Sequence, residues 1–185
     1  MSPLLCALVL HASVVMDPRG FRFAVPDGFE PFPNFQPTAT KLYAFGKNLG
    51  TPEAVTLTVD LLDGPVTPGQ PSRSCGLLLN SINRTVGKPL TQSWQGSELN
   101  GLRMLMTHTF GEVVVLCLDV PIAPTGLSVM VSGKPANEAA LQQTFEAVLS
   151  SLENSRPRSS LPFAVAAVIT VILLGLGLRR SRRGK

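Results

Sequence analysis

The chain ends in LPFAVAAVITVILLGLGLRRSRRGK, and this ending limits what the rest can be. Residues 161–178 carry no charge and no amide side chain. A helix of that length spans about 27 Å, close to the hydrocarbon thickness of a bilayer. Buried in a soluble core, it would need apolar cover on every side, which a small domain rarely provides. Pro162 falls in the first turn, where its missing N–H costs nothing. Arg179, Arg180, Arg182, Arg183 and Lys185 follow at once, against Arg156 and Arg158 on the other flank. Charge burial at mid-membrane is costly, and cations favour the cytoplasmic side. The sequence therefore predicts a single-pass membrane protein with residues 179–185 as a basic cytoplasmic tail and the body outside.

The N-terminus bears on that orientation. MSPLLCALVLHASVVM has a short apolar run and small residues at Ala12 and Ser13, the pattern of a secretory signal over residues 1–16 cleaved after Ala12. It lacks an N-terminal cation. The alternative start is Met16, which gives a tail-anchored adaptor with its body in the cytoplasm. The span and Arg cluster also share the outline of a bacterial surface-sorting signal. NSRPRSSLPFAV holds only an LP pair of such a motif, so permanent anchoring is the expectation. The linker, residues 154–160, reaches at most about 25 Å and keeps the body near the bilayer.

The net charge of +4 does not indicate a nucleic-acid partner. From Asp17 to Ser155 there are nine Lys/Arg and twelve Asp/Glu, and the other seven cations flank the apolar run. Phosphate-binding faces need cations clustered on the folded body.

The body, residues 17–153, reads as short strands with one or two helices. FRFAV (21–25) ends at the turn Pro26-Asp27-Gly28, and KLYAF (41–45) is a second strand. AVTLTVDLL (54–62) alternates, with Val55, Leu57, Val59 and Leu61 on one face. A Gly/Pro-rich loop leads to a short helix over 74–83. Residues 90–95 and 102–110 read as strands. EVVVLCLDV (112–120) is apolar on both faces and belongs inside the sheet. LSVMV (127–131) is a further strand. Leu141, Phe145, Val148, Leu149 and Leu152 then stripe an amphipathic helix with Asn137 as its expected N-cap. Tight connections make the sheet mostly antiparallel. The fold class is α+β, a sheet covered by helices.

FRFAVPDGFEPFP resembles the opening of PsbP-like domains, where a strand ends in a Pro-Asp/Glu-Gly turn before an aromatic. VPIAPTGLSVMVSGKPANEAALQQTFEAVLSSLE is similar to the last strand and helix of that superfamily. The resemblance implies a helix–sheet–helix sandwich and an accessory or binding role without catalysis. It carries no functional residue onto this chain, and fold alone does not deliver function.

No catalytic, cofactor or metal set is expected. His108 is the only histidine after the leader, in strand phase with Met104 and Met106. A zinc site needs three or four ligands at usable spacing. Asp60 and Asp63, like Asp27 and Glu30, read as solvated carboxylates at turns and strand faces. A thiol enzyme using Cys117 and His108 is the second alternative to a binding role, weakened by Leu116 and Leu118 around the thiol. Cys75 and Cys117 form an even pair once Cys6 leaves with the signal. Either they are two buried thiols, or they are bridged across a loop of about 43 residues, worth about 4 kcal/mol. Asn83-Arg84-Thr85 is a glycosylation sequon in a eukaryotic source. Phe29, Phe32 and Phe35 in PDGFEPFPNF form a candidate partner surface or a plug at the sheet edge, with an envelope protein as the partner class. Replacing all five tail cations by Gln should scramble or invert topology and leave the body folded. Protease protection of oriented membranes checks this, and an unchanged orientation would contradict it.

Overall fold

The alternation read in residues 54–62 becomes a strand with Val55, Leu57 and Val59 buried and Thr56 and Thr58 half-buried on the other face. The computed structural model describes residues 13–81, 85–109 and 111–154. The expected span (161–178), the tail cations Arg179, Arg180, Arg182, Arg183 and Lys185, and residues 1–12 lie outside the described residues. Among the described residues no helix is long and apolar enough to cross a membrane.

The strands are β1 (Val14–Asp17), β2 (Phe21–Ala24), β3 (Glu30–Pro31), β4 (Lys41–Lys47), β5 (Val55–Leu62), β6 (Thr85–Trp94), β7 (Ser97–His108), β8 (Gly111–Ile122), β9 (Thr125–Gly133) and β10 (Glu153–Asn154). Two helices, α1 (Arg73–Ser81) and α2 (Glu138–Ser151), complete the fold. Seven strands form one sheet in the order β3-β4-β5-β9-β8-β7-β6, and β1-β2-β10 form a smaller one. Every named pairing is antiparallel. β1 begins ahead of the expected Asp17 boundary, pairing Val14 with Ala24 and Val15 with Phe23.

β8 buries every residue from Val114 to Val120. Its even-numbered residues join Leu57, Val129, Phe145 and Val148 in the larger core under α2, with Phe21 and Phe23 of the small sheet. Val115 and Cys117 face the other way, into a smaller core with Cys75, Met104 and Met106 under α1. The layers are thus α2 with the small sheet, the large sheet, and α1.

Two local expectations need correction. The strand expected over 90–95 runs from Thr85 to Trp94, and its partner starts at Ser97. Gln95 and Gly96 both take positive φ, 47° and 77°, and close a two-residue hairpin. The strand extends back to Thr85 without alternation because it is the sheet's outer edge, where Gly87, Lys88 and Pro89 are all exposed. Asn137 stands at the α2 N-cap but makes no capping bond. A 3-10 turn (Pro135–Asn137) precedes it, and its amide donates instead to the Pro52 carbonyl at 3.0 Å.

Asp17 ties the two sheets together. Its buried carboxylate accepts from Tyr43 Oη at 2.7 Å, from the Arg19 N–H at 2.7 Å and from Arg19 Nη1 at 3.0 Å. Burial, then the bond to Asp17, pushes the Tyr43 phenol up to about 12. The folded state therefore favours the neutral phenol, and this stabilisation is complete below pH 10 and lost as pH rises towards 12. Tyr43→Phe should cost about 2 kcal/mol at pH 7, since a charged acceptor loses a donor. It should also flatten the fall in stability between pH 10 and 12. Urea denaturation at both ends of that range tests the pair of effects.

Candidate functional site

The loop leaving β5 builds a hollow against β7 and α1. Gly64 and Gly69 turn it with φ of 111° and 78°. β7 pairs with β8 only from Leu102 onward, so the inner edge of Glu98–Asn100 is open. The loop fills that edge. Gly69 N–H donates to Glu98 O at 3.1 Å and Ser72 N–H to Asn100 O at 3.0 Å, and Pro71 bridges Asn100 in parallel. Asn100 returns a side-chain bond to Gly69 O at 2.9 Å. Val66 folds onto Gly126, where any Cβ would strike it.

The chain then enters α1 with two of its free N–H groups satisfied. Ser72 Oγ accepts from Cys75 N at 3.2 Å, an N-cap. The Ser74 N–H donates to Asp119 Oδ2 at 3.1 Å, and Ser74 Oγ donates to Asp119 Oδ1. Ser74 Oγ also lies 2.8 Å from Ser128 Oγ. Asp119 is 4 % exposed and Ser128 is 1 % exposed, so this is a buried polar cluster under a helix start.

A disulfide joins Cys75 to Cys117 beside this cluster, Cα to Cα 5.8 Å, both residues fully buried. It links the neighbour of Ser74 to the residue two before Asp119 on the same strand face. The bridge and the hydrogen bonds therefore fix the same helix turn to the same strand.

The resulting cavity is about 590 Å³. Leu62, Val66, Leu77 and Leu99 supply apolar wall, and Ser74 with Asp119 supplies the polar floor. Asp60 of β5 stands in register with Ser128 of β9, which stands in register with Asp119. Burial pushes the Asp60 carboxyl up, opposed by the charge of Lys41.

Cys117 and His108 are not brought together. In the β7–β8 register Cys117 pairs with Leu102, and His108 pairs with Gly111 at the hairpin end. Six residues of strand separate them, about 20 Å. The three phenylalanines also part. Phe29 enters the larger core. Phe32 and Phe35, half-buried, line a hollow of about 350 Å³ with Thr56, Thr58 and Met130 on the sheet face that α1 leaves uncovered. Asp27, Glu30 and Asp63 are exposed. Among the described residues no group of three or more His, Cys, Asp or Glu could hold a metal ion.

Asp119 and Ser128 were not singled out by residue pattern. The available signal was a carboxylate inside the otherwise apolar run EVVVLCLDV, since a charge there must find partners.

No protein-family profile matches the sequence, and no curated protein does. The architecture does match solved structures. The solution structure of cyanobacterial PsbP (CyanoP) from Synechocystis sp. PCC 6803 aligns over 80 % of this chain and 96 % of its own, at 14 % identity and a TM-score of 0.58. LpqN, involved in cell envelope biogenesis of Mycobacterium tuberculosis, aligns over 74 % of this chain and 84 % of its own, at 14 % identity and a TM-score of 0.52. The described domain has a PsbP-like fold, mostly antiparallel sheet with two helices.

A Cβ at Gly101 would collide with the Cys117 carbonyl and stand 2.9 Å from Leu118 Cδ1. This glycine lets β7 pass β8 just where their pairing stops and the loop takes over. Gly101→Ala should destabilise the domain by about 1–3 kcal/mol, the range for overpacking against a rigid neighbour. Thermal and urea unfolding check this, and an unchanged midpoint would refute it.

Proposed function

We propose that the chain is a non-catalytic binding or accessory domain working outside the cytoplasm. In this reading it is held at a membrane by residues 161–178, with Arg179, Arg180, Arg182, Arg183 and Lys185 on the cytoplasmic side and an envelope protein or ligand as partner. The observation that carries this reading is the Cys75–Cys117 bridge in the α1 layer. Disulfides persist in oxidising compartments and are rare in the cytosol. The orientation predicted by the tail cations supports the same side of the membrane. LpqN, a protein of similar fold, is involved in cell envelope biogenesis, which is compatible with an envelope role here. A cavity with apolar walls and a small polar floor suits binding.

A cytoplasmic adaptor starting at Met16 is the competing reading. It would remove Val14 and Val15, two of the four residues of β1, and with them two pairs of the β1–β2 register. A thiol enzyme using Cys117 and His108 would need a free thiol within reach of an imidazole, against the bridge and the register described above.

One experiment separates these readings: protease protection of membranes carrying the full chain, with non-reducing peptide mapping. The expected result is a body cleaved from outside, with the Cys75 and Cys117 peptides linked and no native labelling by iodoacetamide. A protected body with free, alkylatable cysteines would overturn the extracytoplasmic reading. Native labelling of Cys117 alone would point to thiol chemistry.

A further inference from the structure

We propose that the cavity under residues 63–72 binds a primary alkylammonium group, its alkyl stem along Leu62, Val66, Leu77 and Leu99 and its charge on Asp119. The proposal rests on the binding-domain reading above and names the ligand chemistry of that site.

Size comes first. At about 590 Å³ the hollow falls within the ordinary range of small-ligand sites, about 300–1,000 Å³. The charge of the floor then selects among ligands. An α-helix start commonly attracts anions through its free N–H groups. Here the N–H of Ser74 is already taken by the Asp119 carboxylate. An anion entering the cavity would meet that carboxylate, with Asp63 at the rim.

The carboxylate is short of a counter-charge. Asp119 is 4 % exposed, yet its two bonds come from Ser74, an amide N–H and a hydroxyl. The ion pairs among the described residues are Arg19–Asp17, Arg22–Glu153 and Arg103–Glu138, none of them at the cavity. Two carboxylate oxygens offer about four acceptor positions, so roughly two stay open after Ser74 is counted. A cationic donor makes charge-assisted bonds about twice as strong as a neutral donor does. Arg73 also lines the cavity but is exposed and forms none of these ion pairs.

The mouth favours a slim aliphatic stem. Leu77 is 68 % exposed on α1, an apolar side chain left in water at the entrance. A stem of four or five methylenes covers it while the ammonium reaches the floor. Such a group is found on a free aliphatic amine and on a lysine side chain of a partner protein.

The test uses the full chain in zwitterionic lipid nanodiscs, followed by amide chemical shifts. The probes are n-pentylammonium, n-pentanol, pentanoate and the peptide acetyl-Ala-Lys-Ala-amide. Pentylammonium should shift the Ser74, Gly76 and Asn100 amides, and bind at least tenfold more tightly than pentanol. Pentanoate should leave those amides in place. Asp119→Asn should bring pentylammonium down at least tenfold, to the level of pentanol. Should that variant fail to fold, Leu77→Lys, at an exposed position, should weaken pentylammonium at least tenfold through like charge at the mouth. Tighter binding of the peptide would assign the ammonium to a protein partner, and tighter binding of the free amine to a small ligand. Equal binding of pentanol and pentylammonium would overturn the charge recognition and leave the binding-domain reading standing. No shift with any probe would overturn the ligand assignment, while the topology experiment judges the function independently.

Discussion

Everything in the domain depends on β8 being buried on both faces. Seven consecutive buried residues cannot be satisfied by one layer of cover. Each buried aliphatic side chain contributes about 1.5–3 kcal/mol, and β8 presents Val114, Leu116, Leu118 and Val120 to one side and Val115 with the bridged Cys117 to the other. The fold answers with α2 and the small sheet on one face and α1 on the other. The two covers are unequal. α2 brings Leu141, Phe145, Val148 and Leu149 to the core and is tied further by Glu138 to Arg103 and by Ser151 to Ala24. α1 is nine residues long and brings far less, so it is fixed by a covalent bridge and by Ser74 on Asp119. Both devices attach to β8, which therefore organises both layers.

This inequality also locates the candidate site. The longer helix α2 leaves a smaller hollow, about 360 Å³, at its C-terminal end beside Trp94. A short, stapled helix leaves a gap beside it, which the Gly/Pro-rich loop roofs without filling. The polar floor follows from the same arrangement, because a helix start placed over a sheet must find acceptors for its N–H groups. Asp119 answers that need at the cost of burying a charge with neutral partners only.

Much of this was legible in the residues. The alternation of Val55, Leu57 and Val59 gave the strand and its buried face. The stripe of Leu141, Phe145, Val148 and Leu149 gave α2, and the apolar run around Cys117 gave an interior strand. β6 was half missed, since an edge strand wetted on both faces has no alternation to read. The parting of Phe29 from Phe32 and Phe35 was not legible, because all three sit in one Pro-rich segment with a single local signature. The cavity was beyond the pattern as well. It depends on where β7 stops pairing with β8, a register decided by the close pass at Gly101 and not by hydrophobic spacing. Asp119 stood in plain view inside an apolar run, but its partner Ser74 lies 45 residues earlier, and only the tertiary fold brings the two together.

The loop that replaces β8 beside β7 has a directional character. Residues 69–72 are stitched to Glu98 and Asn100 like a short strand, whereas the bond at Thr67 is local, its carbonyl accepting from the Gln70 N–H at 3.2 Å. The roof of the cavity is thus hemmed along one border and loose along the other. Added length near Thr67 can bulge into solvent without moving α1. The same addition between Gly69 and Ser72 would shift the helix start by a residue and turn Ser74 away from its carboxylate. The fold thus leaves room to remodel the doorway and almost none to remodel the sill.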